Sequence, residues 1–555
     1  MTLRKVVLVD LESEVHNLGH LMCTPRFGLT VIGSVLDGAG YDVTVLADCY
    51  GKVTAAEIVQ CAPDVVMFNG LKTTLHRVRG FAREVKRRLP HVPIVLGGEE
   101  ATLNPPSVLD FADCVVLQEG DQIVLELLTA LNRNESLFQV KGVLYREGGT
   151  WKRTEPARRV QPITYRLNPD IYRGLRQMSR TFLGRRTCLT RSGRLLYFPL
   201  QTSRGCDRAC SFCTWKSLFG GRGYVERAPE DVLHDIDRVV VASGVRDFMV
   251  VDNLFGKTRE HALDLATRII RRFPDQKTRP EFTVLMRADQ FGDDGYTAAE
   301  LAVLRIAGFR DVTLGLESVN DRTLRQINKG VSSDEYAQAI HKLVGQGIRV
   351  CGTFSVGSGF DELDDVRRIV PFARRVGLRR LHLYAYSVIP GMPAEKQDGH
   401  LRIPGIDPRF VNGHGVVIFP RRMLPSELQE EILKAMDRFY SWLTVEGFFY
   451  KTTIRRIRRS LRLHLRQLKS IERRLIEREV YVCDRSTGRY LLDEDKLRQA
   501  STSWLRALAL TTSATGRGGR CLAGSWDRRR LAGIRGSTFS ARAACSRGTE
   551  RCPQP

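Results

Sequence analysis

Residues 195–215, LLYFPLQTSRGCDRACSFCTW, join an apolar run to a loop that contains Cys206, Cys210 and Cys213. The apolar run at 195–202 is typical of a buried β-strand, so the sequence predicts that the cysteines lie just beyond its carboxyl end. The chain has 13 cysteines in 555 residues, and they do not form the spaced framework of a disulfide-rich protein. Only this group is tight, and in a reducing compartment a tight cysteine group more often binds metal.

Three thiolates at this spacing can bind three irons of a cubane 4Fe–4S cluster and leave the fourth iron open. A structural zinc site is the main rival, but zinc requires a closed set of four ligands. The nearest further candidates, Cys188 and His234, lie far from the loop in the sequence. A four-cysteine electron-transfer cluster, or buried cysteines without metal, would also account for the group. The spacing favours the cluster with one open iron.

The alternation of apolar runs and helical patterns continues after the cysteines. Helical patterns at 229–242, 258–272 and 334–346 separate the apolar runs. Six βα repeats in about 200 residues predict a partial (β/α)6 TIM-like barrel with its chemistry at the carboxyl ends of the strands. The strand-like runs are 195–202, 247–252, 281–287, 311–317, 348–356 and 380–388.

The cysteine loop resembles the cluster motif of the radical S-adenosylmethionine (SAM) superfamily, C-x3-C-x-aromatic-C, with Phe212 as the aromatic residue. The resemblance implies that the open iron chelates the amino and carboxylate groups of SAM. One electron then breaks the sulfonium bond and gives a 5′-deoxyadenosyl radical. The resemblance to the superfamily extends over about 195–400, because three further segments are similar to segments of the family. These are VVDNLF at 250–255, GLESVNDRTLRQINKG at 315–330 and VIPGMP at 388–393.

The same resemblance implies a set of residues that contact SAM. Glu317, at a strand end, is placed to accept hydrogen bonds from ribose hydroxyls. Arg287 is placed to pair with the methionine carboxylate. For both residues the alternative is an ion pair that fixes the rim of the barrel. The set also contains Phe212 and Ser318, with Asp252 and Asn253 as weaker candidates.

Residues 1–145 alternate strand-like runs with amphipathic stretches, which predicts parallel βαβ units and a doubly wound, Rossmann-like sheet. This half resembles the cobalamin-binding domain of the class B radical methylases. The similar segments are FNGL at 68–71, LGGEEATLNP at 96–105 and VVLQEGD at 115–121. Gly70, Gly97 and Gly98 would let the backbone approach the corrin and its nucleotide tail.

A lower ligand to cobalt is a separate question. Mutase-type cobalamin proteins use Asp-x-His-x-x-Gly, and this sequence has Glu14-x-His16-x-x-Gly19. The gap from His16 to the next strand, near Tyr41, is too long for the mutase arrangement, and PRFGL at 25–29 fits the start of the first helix. We therefore expect a polar loop histidine, and cobalamin without a protein histidine below it.

Together the two resemblances imply a cobalamin-dependent radical SAM methyltransferase in which methylcobalamin donates the methyl group. Members of this class commonly methylate unactivated carbons or phosphinates of small molecules in antibiotic and other secondary metabolism. A reducing partner such as flavodoxin or ferredoxin would supply the electron. The rival functions are a cobalamin-binding cyclase or rearrangement enzyme without methyl transfer, an RNA-modifying enzyme and a non-enzymatic cobalamin sensor.

The formal net charge of +24 raises the question of a nucleic-acid partner. Part of the excess is in the last 55 residues, which contain ten Arg, and part is on a helix predicted at 452–478. A solvated helical face is the preferred interpretation, and an anionic partner is the alternative. The sequence has neither the extra N-terminal cysteine cluster of methylthio-transferring tRNA enzymes nor an aromatic RNA-binding module after the barrel. Nucleic acid is therefore disfavoured.

The remaining expectations concern organisation and location. Residues 146–194 are predicted to be a linker, 401–500 a helical region and 501–555 a disordered basic tail, which could also be an out-of-frame translation. No run approaches the roughly 20 apolar residues that span a bilayer, so no membrane partner is expected. The N-terminus, MTLRKVVLVD, lacks signal-peptide architecture, and the protein is predicted to be cytoplasmic.

Overall fold

The computed structural model describes residues 3–157, 163–175, 181–182, 185–188, 194–219, 223–358 and 361–500. Two large sheets dominate it, one of seven strands and one of six. This confirms the predicted α/β class with a doubly wound sheet followed by a partial barrel. The tail at 501–555, for which the sequence predicts disorder, lies outside the described residues.

The first sheet has the strand order β3-β1-β4-β5-β6-β7-β8, and its strands from β3 to β6 are parallel. Apolar residues of β1 point to both faces and are buried, as expected for a sheet covered by helices on both sides. The strands of this half, of which β2 lies outside the seven-stranded sheet, are β1 Lys5–Asp10, β2 Met22–Cys23, β3 Asp42–Ala47, β4 Val65–Asn69, β5 Ile94–Gly97, β6 Cys114–Val116, β7 Val143–Glu147 and β8 Thr150–Arg153. The helices are α1 Phe27–Gly38, α2 Ala55–Gln60, α3 Leu75–Arg88, α4 Glu99–Leu103 and α5 Gly120–Arg133.

The antiparallel hairpin β7–β8 extends this sheet to Arg153, past the boundary that the sequence suggests at residue 145. The Gly148–Gly149 turn has positive φ at both residues, which is the geometry of a tight two-residue hairpin. The described residues of the segment expected to be a linker also include a packed stretch, 163–175. Its buried side chains include Tyr165, Leu167 and Ile171.

The second sheet has the order β12-β15-β16-β17-β18-β19, and every pair of neighbours is parallel. Strand order therefore follows chain order, as in a barrel built by right-handed βα repeats. The strands of this half are β9 Thr181–Phe182, β10 Arg185–Cys188, β11 Leu195–Leu196, β12 Phe198–Leu200, β13 Ser203–Arg204, β14 Val225–Glu226, β15 Asp247–Val250, β16 Glu281–Met286, β17 Phe309–Glu317, β18 Arg349–Val356 and β19 Arg380–Ala385. The helices are α6 Trp215–Phe219, α7 Pro229–Ser243, α8 Arg259–Arg272, α9 Ala298–Ala307, α10 Asp321–Gln326, α11 Ser333–Gly345 and α12 Leu363–Arg375.

The predicted first barrel strand at 195–202 is divided in the structure. β12 pairs with β15 of the barrel, whereas β11 pairs in parallel with β2 of the N-terminal half. A two-residue strand of each half is thus hydrogen-bonded to the other. The division links the two sheets through the backbone immediately before the cysteine loop.

The region 401–500 is mainly helical, with one hairpin. Its long basic stretch is two helices separated at Leu461, where the sequence suggested one. The elements are α13 Glu395–Asp398, α14 Pro425–Phe439, α15 Val445–Ser460, α16 Arg462–Glu477, β20 Tyr481–Asp484, β21 Arg489–Leu492 and α17 Glu494–Gln499. Short 3-10 turns are Leu18–Leu21, Pro105–Ser107, Leu137–Gln139, Pro169–Ile171, Ala288–Phe291, Gly399–Leu401 and Pro408–Phe410. Across the described ranges, the structure has no helix that is both long and apolar enough to cross a lipid bilayer.

A fully buried ion pair fixes the segment that connects the two halves. The Arg227 guanidinium lies 2.8 Å from Asp235 of α7, and neither side chain is exposed. Arg227 also donates to the carbonyl oxygens of Tyr165 and Gln201, and Asp235 accepts from the amide of Leu167. The pair therefore ties 163–175 to the first barrel strand.

We expect Arg227→Met to lower the free energy of unfolding by about 3–5 kcal/mol, because it leaves the buried Asp235 carboxylate without a partner. Urea unfolding followed by circular dichroism measures the change. The control is Arg272→Met, which removes a half-exposed partner of Asp237 on the same helix and should cost about 0–1 kcal/mol. Equal losses in the two variants would contradict a structural role for the buried pair.

Candidate functional site

A cavity of about 360 Å³ lies where the carboxyl ends of the two parallel sheets face each other. Its walls come from β4, β5 and β6, from the first turns of α1 and α5, and from residues that follow β12 and β15. Small-molecule sites of α/β proteins occur at this edge of the strands, and the volume is within their usual range. Both halves of the chain therefore contribute to one candidate site.

Two of the three predicted glycines line this cavity. Gly98 has φ +98°, and a Cβ there would lie 2.5 Å from Asn69 Oδ1 and 3.1 Å from the Gly70 carbonyl oxygen. Gly97 lies beside it on the cavity wall. Gly70 supports the pair from behind, because its amide donates to the Gly97 carbonyl over 2.7 Å. This turn needs glycine at 98 both for its backbone conformation and for space.

Asn69 provides a polar group without a partner inside the cavity wall. Its Oδ1 is buried and accepts no hydrogen bond from the described residues. A buried amide oxygen left in this state costs free energy, and a bound ligand with an N–H or O–H donor would remove that cost. Apolar side chains of α1, β4 and β6, such as Ile32, Met67 and Val116, form much of the remaining wall.

On the barrel side, Arg204 connects the cavity to the cysteine loop. Its guanidinium lies 3.1 Å from Asp121 and 3.6 Å from Glu119, both of the N-terminal half, and it also donates to Gln201 Oε1. The Arg204 side chain is only 11% exposed. Arg204 is not among the site residues predicted from the sequence. The sequence feature that could have indicated Arg204 is its position two residues before Cys206. Its acidic partners could not be found in this way, because they lie more than eighty residues away in the chain.

The three predicted cysteine ligands lie on one loop that follows β13. Cys210 is buried, Cys206 and Cys213 are half-buried, and all three are free thiols. Burial raises the pKa of the Cys206 and Cys213 thiols. Trp215 Nε1 donates a hydrogen bond to the main-chain oxygen of Cys206, and Asn328 Nδ2 donates one to the main-chain oxygen of Ala209. The loop is therefore held at Cys206 and at Ala209.

The three cysteines of the loop are not arranged around a single metal ion. Within the described part of the chain, no three His, Cys, Asp or Glu side chains converge closely enough to hold a single metal ion. A cubane cluster requires no such convergence, since each thiolate binds a different iron. The donor set of three free thiols on an anchored loop fits a cluster better than it fits zinc, which needs four ligands around one ion.

Arg287 follows β16 and lies against the cysteine loop. Its Nη1 is 3.5 Å from Cys210 Sγ, its Nη2 donates to the Lys329 carbonyl over 2.6 Å, and its Nε lies 3.1 Å from Asp289. The guanidinium is thus paired within the protein while it faces a thiol. A positive charge is therefore held next to one of the three predicted cluster ligands.

Glu317 ends β17 in a left-handed conformation, with φ +65°. Its Oε1 accepts a hydrogen bond of 3.0 Å from Lys329 Nζ, and the Lys329 ammonium lies 5.7 Å from the centre of the Phe212 ring. The ion pair at the barrel rim, the alternative role for Glu317, is therefore present. It also brings Glu317 to the cysteine loop, because Phe212 lies between Cys210 and Cys213. A non-glycine residue held in this conformation costs about 1–3 kcal/mol, and such strain is frequent at functional sites.

Asp252 and Ser318 are buried and already hydrogen-bonded. The Asp252 carboxylate accepts from the Thr202 amide and hydroxyl and from the Ser203 hydroxyl, and burial raises its pKa to about 6. Ser318 donates to Asp361 over 3.0 Å. The neighbouring Asn253 accepts from the Gly205 amide and lines the cavity. The hydrogen bonds of Asp252 and Ser318 thus connect the ends of neighbouring strands, and of these three residues only Asn253 lines the cavity.

His16 lies away from the cavity. Its ring is 5.0 Å from that of His20, and its carbonyl oxygen accepts a long hydrogen bond of 3.5 Å from Asn412 of the C-terminal region. Among the described residues that line the cavity, none is a histidine. The helix predicted to begin within 25–29 does begin there, at Phe27. The placement agrees with a loop histidine.

Comparison with known protein families assigns both halves. The family model of the B12 binding domain matches residues 4–128, and that of the Radical SAM superfamily matches residues 200–395. The chain is a cobalamin-dependent radical SAM enzyme. Its cofactors are a 4Fe–4S cluster, SAM and cobalamin, as the sequence predicted.

The relatives of the chain include methyltransferases and a cyclase. An uncharacterized methyltransferase of Pyrococcus horikoshii is 22% identical over 381 residues, which are 66% of this chain and 77% of that protein. An anaerobic magnesium-protoporphyrin IX monomethyl ester cyclase of Synechocystis sp. is 28% identical over 355 residues, 61% of this chain and 66% of that protein. Cytidylyl-2-hydroxyethylphosphonate methyltransferase of Streptomyces wedmorensis is 23% identical over 450 residues, 70% of this chain and 80% of that protein.

Two solved structures share the fold of the radical SAM enzyme. The cobalamin-dependent SAM radical enzyme OxsB, with aqua-cobalamin and SAM bound, matches with a TM-score of 0.61 and 15% identity over 92% of this chain and 79% of that one. The radical SAM methyltransferase TsrM from Kitasatospora setae, with cobalamin and a 4Fe–4S cluster bound, matches with a TM-score of 0.55 and 18% identity over 72% of this chain and 76% of that one.

We expect Gly98→Ala to weaken cobalamin binding about tenfold or more, because the new methyl group displaces Asn69 and strains the turn by about 1–3 kcal/mol. Titration with hydroxocobalamin, followed by its absorbance, measures the affinity. The control is Gly80→Ala, since Gly80 lies on the exposed face of α3 with no atom within 4 Å of its Cβ position. Equal affinities in the two variants would remove this turn from the cobalamin site.

We expect Arg204→Met to weaken cobalamin binding while the iron content of the loop is retained. The substitution keeps an unbranched apolar side chain and removes the guanidinium that lies beside Asp121 and Glu119, at a cost of about 1–3 kcal/mol. Iron analysis and hydroxocobalamin titration of the same preparation separate the two effects. Arg166→Met, which removes an exposed partner of Asp231, is the control. Loss of iron with normal cobalamin affinity would show that Arg204 serves only the cluster loop.

Proposed function

We propose that this radical SAM enzyme methylates an unactivated carbon, or a phosphinate phosphorus, of a small-molecule intermediate in antibiotic or other secondary metabolism. The observation that supports methyl transfer best is the shared cavity. Its wall is formed by the B12-binding half, and its rim, at Arg204 and Asn253, belongs to the loops beside the cysteines. A methyl donor and a radical initiator are needed at one substrate, and this arrangement brings their two sites to a common edge.

In the proposed site, the cavity wall holds cobalamin. Gly97 and Gly98 allow the backbone to approach the cofactor, with Gly70 behind them, and the unpaired Asn69 oxygen is available to a cofactor N–H or O–H. The described residues that line this wall include no histidine. The apolar wall excludes water from the space between the two halves. When bound, the cluster with SAM supplies hydrogen abstraction and cobalamin supplies the methyl group.

On the barrel side, we assign Cys206, Cys210 and Cys213 as the cluster ligands. Arg287 holds a positive charge against Cys210, and the Glu317–Lys329 pair and Phe212 form the neighbouring surface for SAM. Asp252 and Ser318 fix the strand ends beside this surface, so we propose a positioning role for them. A reducing partner such as flavodoxin or ferredoxin supplies the electron. The corresponding domains are 1–145 for cobalamin, with the hairpin that extends its sheet to Arg153, and 195–400 for the radical barrel.

A phosphorus-containing substrate is supported by the name of one relative, cytidylyl-2-hydroxyethylphosphonate methyltransferase. The second candidate function, a cobalamin-binding cyclase that transfers no methyl group, is supported by the magnesium-protoporphyrin relative. The two differ in how SAM is consumed. Methyl transfer uses SAM as a methyl source and also as a radical source, whereas cyclisation requires only the second use.

The decisive measurement uses anaerobic protein reconstituted with iron, sulfide and hydroxocobalamin, incubated with trideuteromethyl SAM, a strong reductant and cytidylyl-2-hydroxyethylphosphonate as the probe. We expect 5′-deoxyadenosine and S-adenosylhomocysteine together, because the proposed reaction uses SAM in both ways. Mass spectrometry of the probe tests whether one labelled methyl group is added. Formation of 5′-deoxyadenosine without S-adenosylhomocysteine would favour the cyclase.

Replacing one proposed ligand should separate the two cofactor sites. We expect Cys210→Ala to abolish 5′-deoxyadenosine formation and to lower the iron content, while cobalamin still binds, because the cavity wall lies in the other half. Cys483→Ala, which removes an exposed thiol of β20, is the control and should behave as the wild type. Zinc in place of iron in the anaerobically purified protein would contradict the cluster assignment.

A further inference from the structure

The surface of α15 and α16 contains a group of arginines without acidic partners. No Asp or Glu occurs between Glu446 and Glu472. Six exposed arginines in this stretch have no carboxylate oxygen within 4.0 Å among the residues that the structure describes, whereas the nearby Arg379 and Arg438 both form ion pairs. These six, the arginine face, are Arg455, Arg456, Arg458, Arg459, Arg462 and Arg466.

An exposed apolar knob lies at the start of the same surface. Leu443 is 96% exposed, Val445 69%, Phe448 51% and Trp442 40%. The rings of Trp442 and Phe448 contact edge to face, with their centres 5.9 Å apart. Single exposed apolar residues are ordinary, but four in a seven-residue stretch form a contiguous patch that marks an interaction site. We call these four residues the Trp442 knob.

The knob and the arginine face belong to one surface. The Arg455 guanidinium lies over the Trp442 ring, 4.4 Å from its centre. Along α15, Val445, Phe448, Arg455 and Arg459 recur at helical spacing, and the opposite face buries Tyr450, Ile454 and Ile457. The helix thus lies flat on the protein with its apolar end and its cationic side both exposed.

We propose that this surface docks the enzyme on an anionic lipid bilayer. The Trp442 knob enters the boundary between headgroups and acyl chains, and the arginine face contacts the lipid phosphates. Leu443 and Val445 have no role in binding a nucleic acid, which would use the arginines and aromatic rings alone. A second copy would present the same arginines, and the tail at 501–555 is itself basic, so both would be repelled. An interfacial helix needs no bilayer-spanning run, which is why a search for long apolar runs does not detect such a membrane partner.

The test is sedimentation of the full-length protein with phosphatidylcholine vesicles that either contain or lack phosphatidylglycerol. We expect binding only to the anionic vesicles, and weaker binding as salt rises from about 0.1 to 1 M, because the Debye length falls from about 10 to 3 Å. Tryptophan fluorescence should shift to the blue on binding. The proposal is independent of methyl transfer, and the measurement needs no substrate turnover.

Two variants separate the apolar and the cationic contributions. Leu443→Gln with Phe448→Gln should weaken binding about tenfold or more by removing the inserted side chains, and Arg455→Gln with Arg459→Gln should weaken it and reduce its salt dependence. Val241→Gln, at a 79% exposed position of α7, is the control. An equal affinity for both kinds of vesicle overturns the proposal. So does an unchanged affinity in the knob variant, or a dimer in sedimentation velocity that the knob variant abolishes.

Discussion

The salt bridge from Arg204 to Asp121 and Glu119 is the interaction on which the candidate site depends. It joins a residue two positions before Cys206 to the helix that begins at the edge of the cavity proposed for cobalamin. Because the Arg204 side chain is almost buried, the pair is shielded from solvent and its geometry is fixed on both sides. This salt bridge and the backbone pairing of β2 with β11 both hold the N-terminal half against the segment that leads into the cysteine loop.

Much of the fold could be predicted from sequence periodicity. The strands and helices of both sheets lie within a few residues of the predicted runs, since buried parallel strands read as continuous apolar stretches. Three features could not be predicted. The stretch 163–175 is packed although its apolar residues follow neither a helical nor a strand period. The division of the basic helix at Leu461 has no Pro or Gly to mark it. The split between β11 and β12 depends on pairing with a distant strand.

The candidate site divides in the same way. The cysteines and the glycines were predictable because chemistry and backbone conformation require those residue types at short spacing. Arg204 and Asn69 were not, since what distinguishes them is a partner more than eighty residues away or the lack of a partner among the described residues. Asp252 was predicted as a cofactor contact from its motif, yet its carboxylate is occupied by Thr202 and Ser203. A motif indicates which residues are near a site, and the hydrogen-bond pattern shows which of their polar atoms already have protein partners.

The pairing of Leu195–Leu196 with Met22–Cys23 has a consequence for biosynthesis. The N-terminal sheet leaves the ribosome before the barrel does, but this pair closes only after residue 196 has emerged as well. The hydrogen bond of the Leu18 amide can form only later, because its acceptor is the imidazole of His414. During synthesis, the edge around β2 therefore stays unpaired until the barrel and the helical region after it have been made. The contacts of the N-terminal half at this edge form only together with those later parts of the chain.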